Sequence, residues 1–525
     1  MLLVIAIIEL LLVTNSEIFY NRQLILMYSD SNNKEQLTSK YNYHNLTCND
    51  INWQQLAKDY ANLSVSNRVK EATDSYNYQK IGIPRFPNAL KLRDYQRETV
   101  VSWLNNKGRG TLKMATGSGK TIIALAIATE LYQKIGLQVL IVICPYQHLV
   151  LQWQRECQEF NLNPIIAMHR LDSWQTELAT QLYNVRSQKQ KFLTIITTNS
   201  TLISEGFQSQ TKFFPEKTLI VGDEAHNLGS SRLEASLPRN IGLRLALSAT
   251  PQRRYDETGT DALIEYFGKI LQPEFTLEDA IKQKALVPYL YYPIFVELTE
   301  SESFLYAQLT RKIGWMLQQD SNWDNDNLTS LLTKRSRLIG TAANKLNTLK
   351  SLMQDRLQTT HTLFYCGDGH VDNYHRDYTR QIAAVTRILG KELGYKVNTY
   401  TAETPISERE QLRTQFERGI LQGLVAIRCL DEGVDIPAIK TAVILASTNN
   451  PRQFIQRRGR ILRPYPGKKQ ATLFDMIVIP PKLDRQTWEV EKKLLDKELI
   501  RFLEFAELAD NAAEARQKLL SLELN

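Results

Sequence analysis

The 525-residue sequence predicts an α/β fold: two tandem doubly wound parallel-sheet domains, a helical insertion between them and a C-terminal helical extension. Three observations predict it. Residues 114–121, Met-Ala-Thr-Gly-Ser-Gly-Lys-Thr, form a glycine-containing loop that runs straight into an apolar helix beginning Ile122, Ile123, Ala124, Leu125. Uninterrupted apolar runs such as 139–144 (Val-Leu-Ile-Val-Ile-Cys) suit strands buried on both faces, as a parallel sheet requires. A second alternation of short apolar runs and amphipathic stretches begins at residue 362 and repeats the pattern.

Length and composition are compatible with this. The chain is long enough for about three domains with real cores. Apolar residues make up 43% and charged residues 23%, as in ordinary globular proteins. The net charge of +8 fits a nucleic-acid partner without proving one. Five cysteines, Cys48, Cys144, Cys157, Cys366 and Cys429, contain no Cys-x-x-Cys pair. That argues against a disulfide framework and against a four-cysteine iron–sulfur cluster. His361, Cys366, His370 and His375 match no standard zinc spacing.

Residues 2–13 are apolar apart from Glu9, too short to span a bilayer and without a basic leader region. The expectation is a start at Met27, no stable membrane association and a cytoplasmic location. Residues 27–85, rich in Asn, Tyr, Ser and Gln, are expected to form an accessory region with weak helices at 51–60 and 65–73. Pro84 and Pro87 mark its end. The first sheet domain is expected over 86–285, a connecting strand and helical segment over 286–360, the second sheet domain over 361–480, and the extension over 481–525.

Each element carries candidate chemistry at its end. A helix over 92–103 presents Gln96, whose amide suits bidentate recognition of adenine. In the glycine loop, Gly117 and Gly119 let the backbone curl so that N–H groups around Thr116 and Ser118 point inward at a phosphate. Lys120 would reach the β- and γ-phosphates of ATP, and the Thr121 hydroxyl would hold Mg²⁺. Met114 stands where the strict pattern has its first glycine. Strand 139–144 stops at Pro145, and strand 192–197 at Thr197-Thr198-Asn199-Ser200-Thr201. Those hydroxyls could contact a sugar–phosphate backbone, cap a helix, or both. Strand 218–222 delivers Asp223-Glu224-Ala225-His226. Asp223 can hold Mg²⁺, Glu224 can polarise an attacking water, and His226 is better placed to couple than to catalyse. Strand 244–247 ends in Ser248-Ala249-Thr250.

Helices are expected over 277–285, 304–318 and 328–353. The basic residues Arg311, Lys312, Lys334, Arg335, Arg337 and Lys345 either face nucleic acid or form a solvated face. In the second domain, strands are expected at 362–366, 396–400, 423–427 and 441–446, with helices at 378–393, 407–419 and 451–462. The last of these carries Gln456-Arg457-Arg458-Gly459-Arg460-Ile461-Leu462-Arg463.

The ordered set Arg93–Gln96, 114–121, Asp223–His226, Ser248–Thr250, Gly433-Val434-Asp435 and Gln456–Arg463 resembles a superfamily 2 helicase of the DEAD/DEAH type, with two RecA-like domains, over roughly residues 86–480. The phrases Leu-Ser-Ala-Thr-Pro, Asp-Glu-Gly-Val-Asp-Ile-Pro and Arg-Gly-Arg-Ile-Leu-Arg look most like the branch holding XPB-type repair helicases, phage UvsW and type III restriction motor subunits. The resemblance implies that Arg460 and Arg463 cross the cleft to the γ-phosphate, Arg463 as the arginine finger, with Gln456 near the attacking water. It implies that Gly433 and Asp435 touch the ribose or couple closure, and that Ser248 and Thr250 link the ATP site to nucleic acid. It places Pro145, Thr197, Thr198 and Thr401 where the family contacts one strand's backbone.

The expected activity is ATP-driven movement on DNA, in repair or recombination or as a restriction motor. No nuclease or methyltransferase motif is visible, so those activities would come from partner subunits. A nucleic-acid sensor with a timing ATPase, or an RNA helicase, is the alternative.

Overall fold

The computed structural model describes residues 51–62, 82–168, 173–253, 256–318, 325–371, 379–401, 403–427, 436–446, 451–479 and 501–521. The first sheet comprises β1 (Arg109–Lys113), β2 (Val139–Cys144), β3 (Ile165–Ala167), β4 (Leu193–Thr198), β5 (Thr218–Asp223) and β6 (Leu243–Ser248). Every pairing is parallel, in the order β1-β6-β5-β2-β4-β3. Strands β2, β4, β5 and β6 are buried at every position, because helices cover both faces. The strand order does functional work. It sets β1, β6 and β5 side by side, so the glycine loop, Ser248 and Asp223 emerge together from one edge of the sheet.

The second sheet comprises β7 (Tyr289–Glu297), β8 (Thr362–Cys366), β11 (Val397–Tyr400), β12 (Gly423–Ile427), β13 (Thr441–Ile444) and β14 (Ala471–Ile479), all parallel, ordered β11-β12-β8-β13-β14-β7. A two-residue ribbon, β9 (His370–Val371) with antiparallel β10 (Thr379–Arg380), stands beside it. One apolar core runs through both domains. It joins Trp103, Leu125 and Leu245 of the first to Phe454 and Leu473 of the second, and continues to Phe502 and Phe505 near the C-terminus.

Two helices, Glu300–Gln318 and Asn325–Gly340, form the insertion. The sequence predicts one helix over 328–353, but the structure interrupts it after Gly340 and restarts at Asn344. The break is bonded: the N–H of Ala343 donates to Glu302 Oε1 at 2.8 Å. In the accessory region, the helix Trp53–Asn62 docks on the first domain, with Trp53 edge-on to Trp103 at 6.3 Å. The expected helix at 65–73 and the first 26 residues lie outside the described residues. Among the described residues, no helix is long and apolar enough to cross a membrane, and no group of three His, Cys, Asp or Glu could hold a metal ion.

Candidate nucleotide site at the interdomain cleft

The glycine loop closes on itself before its helix, Lys120–Ile135, begins. Gly117 and Gly119 adopt φ of +86° and +85°, the left-handed region that side chains with a Cβ avoid. The loop is tied down from three directions. Met114 N–H donates to Ser248 O at 3.1 Å and Ala115 N–H to Phe275 O at 2.8 Å. Tyr95 O–H and Gln96 Nε2 donate to Ser118 O at 2.6 and 3.1 Å. Gln96 is thereby committed at both ends, since its Oε1 accepts from Arg93 N–H at 3.0 Å. Tyr95 lies in the Arg93–Gln96 motif with no role assigned from sequence; its hydroxyl works beside Gln96.

The loop has polar groups to offer. Among the described residues, the Thr116 and Ser118 hydroxyls are buried without a hydrogen-bond partner. The Lys120 ammonium is folded back on Met114 O and Ala115 O at 3.1 and 3.4 Å. Burial holds its pKa below the ordinary lysine value; nearby Glu224 and Asp223 oppose that, and Arg463 and Arg460 reinforce it. Two orphaned hydroxyls, a cradle of left-handed glycines and a desolvated ammonium at a helix N-terminus fit a nucleotide's phosphates.

Asp223 ends β5 with a fixed carboxylate. Its Oδ2 accepts from the Trp153 indole N–H and its Oδ1 from Glu224 N–H, each at 2.9 Å. Burial raises its pKa; Trp153, Lys120 and Arg460 work against the rise. Trp153 reads in sequence as ordinary helix core, and nothing in its local pattern signals a bond to the Asp223 carboxylate. Glu224 sits at φ +43°, ψ 50°. A non-glycine residue held in the left-handed region costs of order 1–3 kcal/mol and here aims the carboxylate into the cleft. With Thr121 beside Lys120, Asp223 supplies the hard oxygen donors that Mg²⁺ takes.

The opposite wall is the helix Pro451–Ile461 of the second domain. Gln456 Nε2 donates to Glu224 Oε2 at 3.1 Å, a buried bond joining the two domains. Arg463 lies against Gly117: a Cβ placed there would meet Arg463 Cγ at 3.4 Å. Gly459 allows the helix to touch the loop, because a Cβ at 459 would come within 2.8 Å of Thr116 Cβ. Arg460 is buried and acts electrostatically on Lys120, Asp223 and His148. A relay leads away from Glu224. His226 Nδ1 lies 3.5 Å from Glu224 Oε2 and 3.2 Å from Ser248 Oγ, which accepts from Thr250 N–H at 3.1 Å.

The expected nucleic-acid contacts are placed less favourably. Thr197 is fully buried and donates to Ala167 O at 3.0 Å. In this structure its hydroxyl is spent inside the sheet. Thr198 serves as the N-cap of Asn199–Leu202, accepting from Thr201 N–H at 3.2 Å. Capping is therefore the role this structure gives it. Pro145 and Thr401 are partly buried at the carboxyl ends of β2 and β11. Gly433 and Asp435 lie outside the described residues.

Comparison with known proteins agrees with this geometry. Residues 89–253 match the family described as type III restriction enzyme, res subunit, and residues 345–465 the helicase conserved C-terminal domain. The DNA 3'-5' translocase XPB2 of Sulfurisphaera tokodaii is 26% identical over 456 residues, 81% of this chain and 92% of that protein. A putative DNA 3'-5' helicase Rad25 of Haloarcula marismortui is 25% identical over 389 residues, 71% of this chain and 51% of that one. Among solved structures, the ATP-dependent Type ISP restriction-modification enzyme LlaBIII bound to DNA aligns with a TM-score of 0.53 at 17% identity, over 79% of this chain and 30% of that one. That last likeness is one of fold.

Proposed function

Because this chain belongs to the superfamily 2 helicases, in the branch of XPB-type translocases and restriction motor subunits, we propose that the cleft between its two sheets is the working ATP site of a DNA motor. The chain is an ATP-hydrolysing DNA translocase or helicase. One observation carries the assignment of its site. The Gln456–Glu224 bond brings the second domain's arginine helix onto the first domain's catalytic carboxylate.

In this reading the loop N–H groups and Lys120 bind the β- and γ-phosphates. Glu224 polarises the attacking water, and Gln456 orients the pair. Thr121 and Asp223 would hold Mg²⁺, which supplies charge neutralisation at the phosphates. Arg463 and Arg460 stabilise the charge that develops as the terminal phosphoryl group leaves. A loose phosphoryl-transfer transition state needs positioned cations above all, and an arginine supplies about 10³–10⁵ in turnover. Hydrolysis cuts the γ-phosphate free of ADP, and its departure as inorganic phosphate removes the charge that holds the arginine helix to the loop, so the cleft opens. The Glu224–His226–Ser248–Thr250 relay carries that change toward the strand ends where Pro145 and Thr401 stand. Gln96 reads adenine only by giving up one of its present bonds.

Backbone contacts imply little sequence preference. We carry over 3'-5' polarity from the named relatives, a cytoplasmic setting from the cysteine pattern, and partner subunits for any nuclease or methyltransferase activity. The test is ATPase stimulation by single-stranded DNA, duplex DNA and RNA, with triplex displacement and forked-duplex unwinding on the same preparation. DNA stimulates turnover, and Lys120→Ala abolishes it while leaving DNA binding measurable. Full ATPase in Lys120→Ala, or stimulation by RNA alone, overturns the reading.

A further inference from the structure

The segment from Arg501 to Ser521 is wired into the second domain more tightly than an appended helix requires. Asp475 of β14 is fully buried and accepts from Arg501 Nε and from the Tyr291 hydroxyl, each at 3.1 Å. Asn511 mimics a strand neighbour on β7: its Oδ1 accepts from Tyr291 N–H at 2.8 Å and its Nδ2 donates to Tyr291 O at 3.0 Å. Asp510 N–H donates to Tyr289 O at 2.9 Å. These bonds fix the segment on β7. What it then touches is the arginine helix.

Arg458 sits on that helix between Gln456 and Arg460, with no side-chain exposure. Its guanidinium reaches away from the cleft. Nη2 donates to Glu504 Oε1 at 2.5 Å, and Nη1 donates to the Tyr289 hydroxyl at 3.2 Å and to Glu504 O. The Tyr289 hydroxyl donates in turn to Phe505 O at 2.7 Å, and the Phe505 ring lies 5.2 Å from the guanidinium. The helix is thus held from behind by the C-terminal segment. In front it is in contact with the glycine loop, where Gly459 leaves no room for even a Cβ against Thr116.

We propose that the C-terminal segment is a clamp on the arginine helix, and that Arg458, held by Glu504 and Tyr289, is a positioning residue that sets how Gln456, Arg460 and Arg463 meet the loop. This rests on the reading of the cleft as the ATP site. The physical reason is that a buried guanidinium keeps its place only while it is paired. Loss of Glu504 leaves the charge without its carboxylate, and the helix must move to find another partner. An error of about 1 Å in a catalytic constellation costs up to about 10²-fold in rate. The loop, Lys120 and Asp223 belong to the other domain, so nucleotide binding is spared.

The test is Glu504→Gln in the full chain, with ATPase at saturating DNA, ATP affinity by equilibrium binding, and the thermal midpoint. The clamp predicts that kcat falls on the order of 10- to 100-fold. ATP affinity stays within about threefold, and the midpoint falls without reaching the assay temperature, since the Arg501–Asp475 and Asn511–Tyr291 bonds still hold the segment. Tyr289→Phe, which removes one hydroxyl and keeps the ring, shows a smaller loss of the same kind and decides the matter if Glu504→Gln does not fold. Unchanged kcat in a folded variant overturns the proposal. So does a kcat loss that only tracks the unfolded fraction, or one matched by an equal loss of ATP affinity. A wild-type chain without DNA-stimulated ATPase removes the site reading itself, which is a different result from an active wild type with indifferent variants.

Discussion

Gly459→Ala pulls stability and activity in opposite directions. The residue lies inside the helix Pro451–Ile461, where replacing glycine by alanine favours the helical state by about 1 kcal/mol. The second domain taken alone should therefore be at least as stable. The closed cleft is another matter. The new Cβ would stand 2.8 Å from Thr116 Cβ and 3.2 Å from Thr116 O, where ordinary contact begins at 3.4 Å. The helix must back away by about 0.6 Å at least, taking its neighbour Arg460 with it. Overpacking of this kind costs about 1–3 kcal/mol, charged here to the closed state alone. With displaced cations, kcat should fall on the order of 10- to 100-fold. Differential scanning fluorimetry should show an unchanged or higher midpoint, and steady-state ATPase with saturating DNA should show the loss. A variant that keeps kcat within twofold would mean that the helix does not press on the loop when hydrolysis occurs.

Two further outcomes follow from the same geometry. Glu224→Gln should lower hydrolysis about 10²–10⁴-fold while ATP still binds, because an amide keeps the shape but cannot polarise water; equilibrium binding beside steady-state ATPase separates the two. His148 is held down at about 3 by burial, then by Arg460 and Arg409 of the second domain. A folded value below the unfolded one means the closed cleft accepts only the neutral imidazole. Nothing is lost above pH 6.5, and the folded form with its cleft closed loses up to about 1.4 kcal/mol per unit as pH falls below it, the share from Arg460 and Arg409 falling on closure. ATPase should therefore drop more steeply between pH 6.5 and 5.5 in the wild type than in His148→Asn, and superimposable pH profiles would speak against it.

Much of the fold can be read from residues alone, for a definite reason. Strands β2, β5, β8 and β12 are buried on both faces, so their apolar runs are unbroken and end at turn or ligand residues. Strands β1 and β14 escape that reading. Arg109-Gly-Thr-Leu-Lys has a single large apolar side chain and is an edge strand, covered by the segment that bridges at Ile270 and Phe275. Strand β14 carries Asp475 at its centre, which reads as an exposed position. Its burial depends on Arg501 and Tyr291, far away in sequence. The same limit governs the site. Lys120, Asp223 and Glu224 stand on local motifs. Trp153 and Arg458 act through partners 70 and 46 residues distant, and no local pattern reveals those partners. Residue type alone does not say where the Thr197 hydroxyl goes, because a hydroxyl at a strand end can bond a neighbouring carbonyl.

Whether the ATP site is shared between the two domains is decided by single-turnover hydrolysis in Arg463→Ala. With saturating DNA and enzyme in excess over ATP, a shared site binds ATP at near wild-type affinity and hydrolyses it about 10³-fold more slowly or worse. A rate near wild type would contradict it and leave the first domain hydrolysing ATP alone.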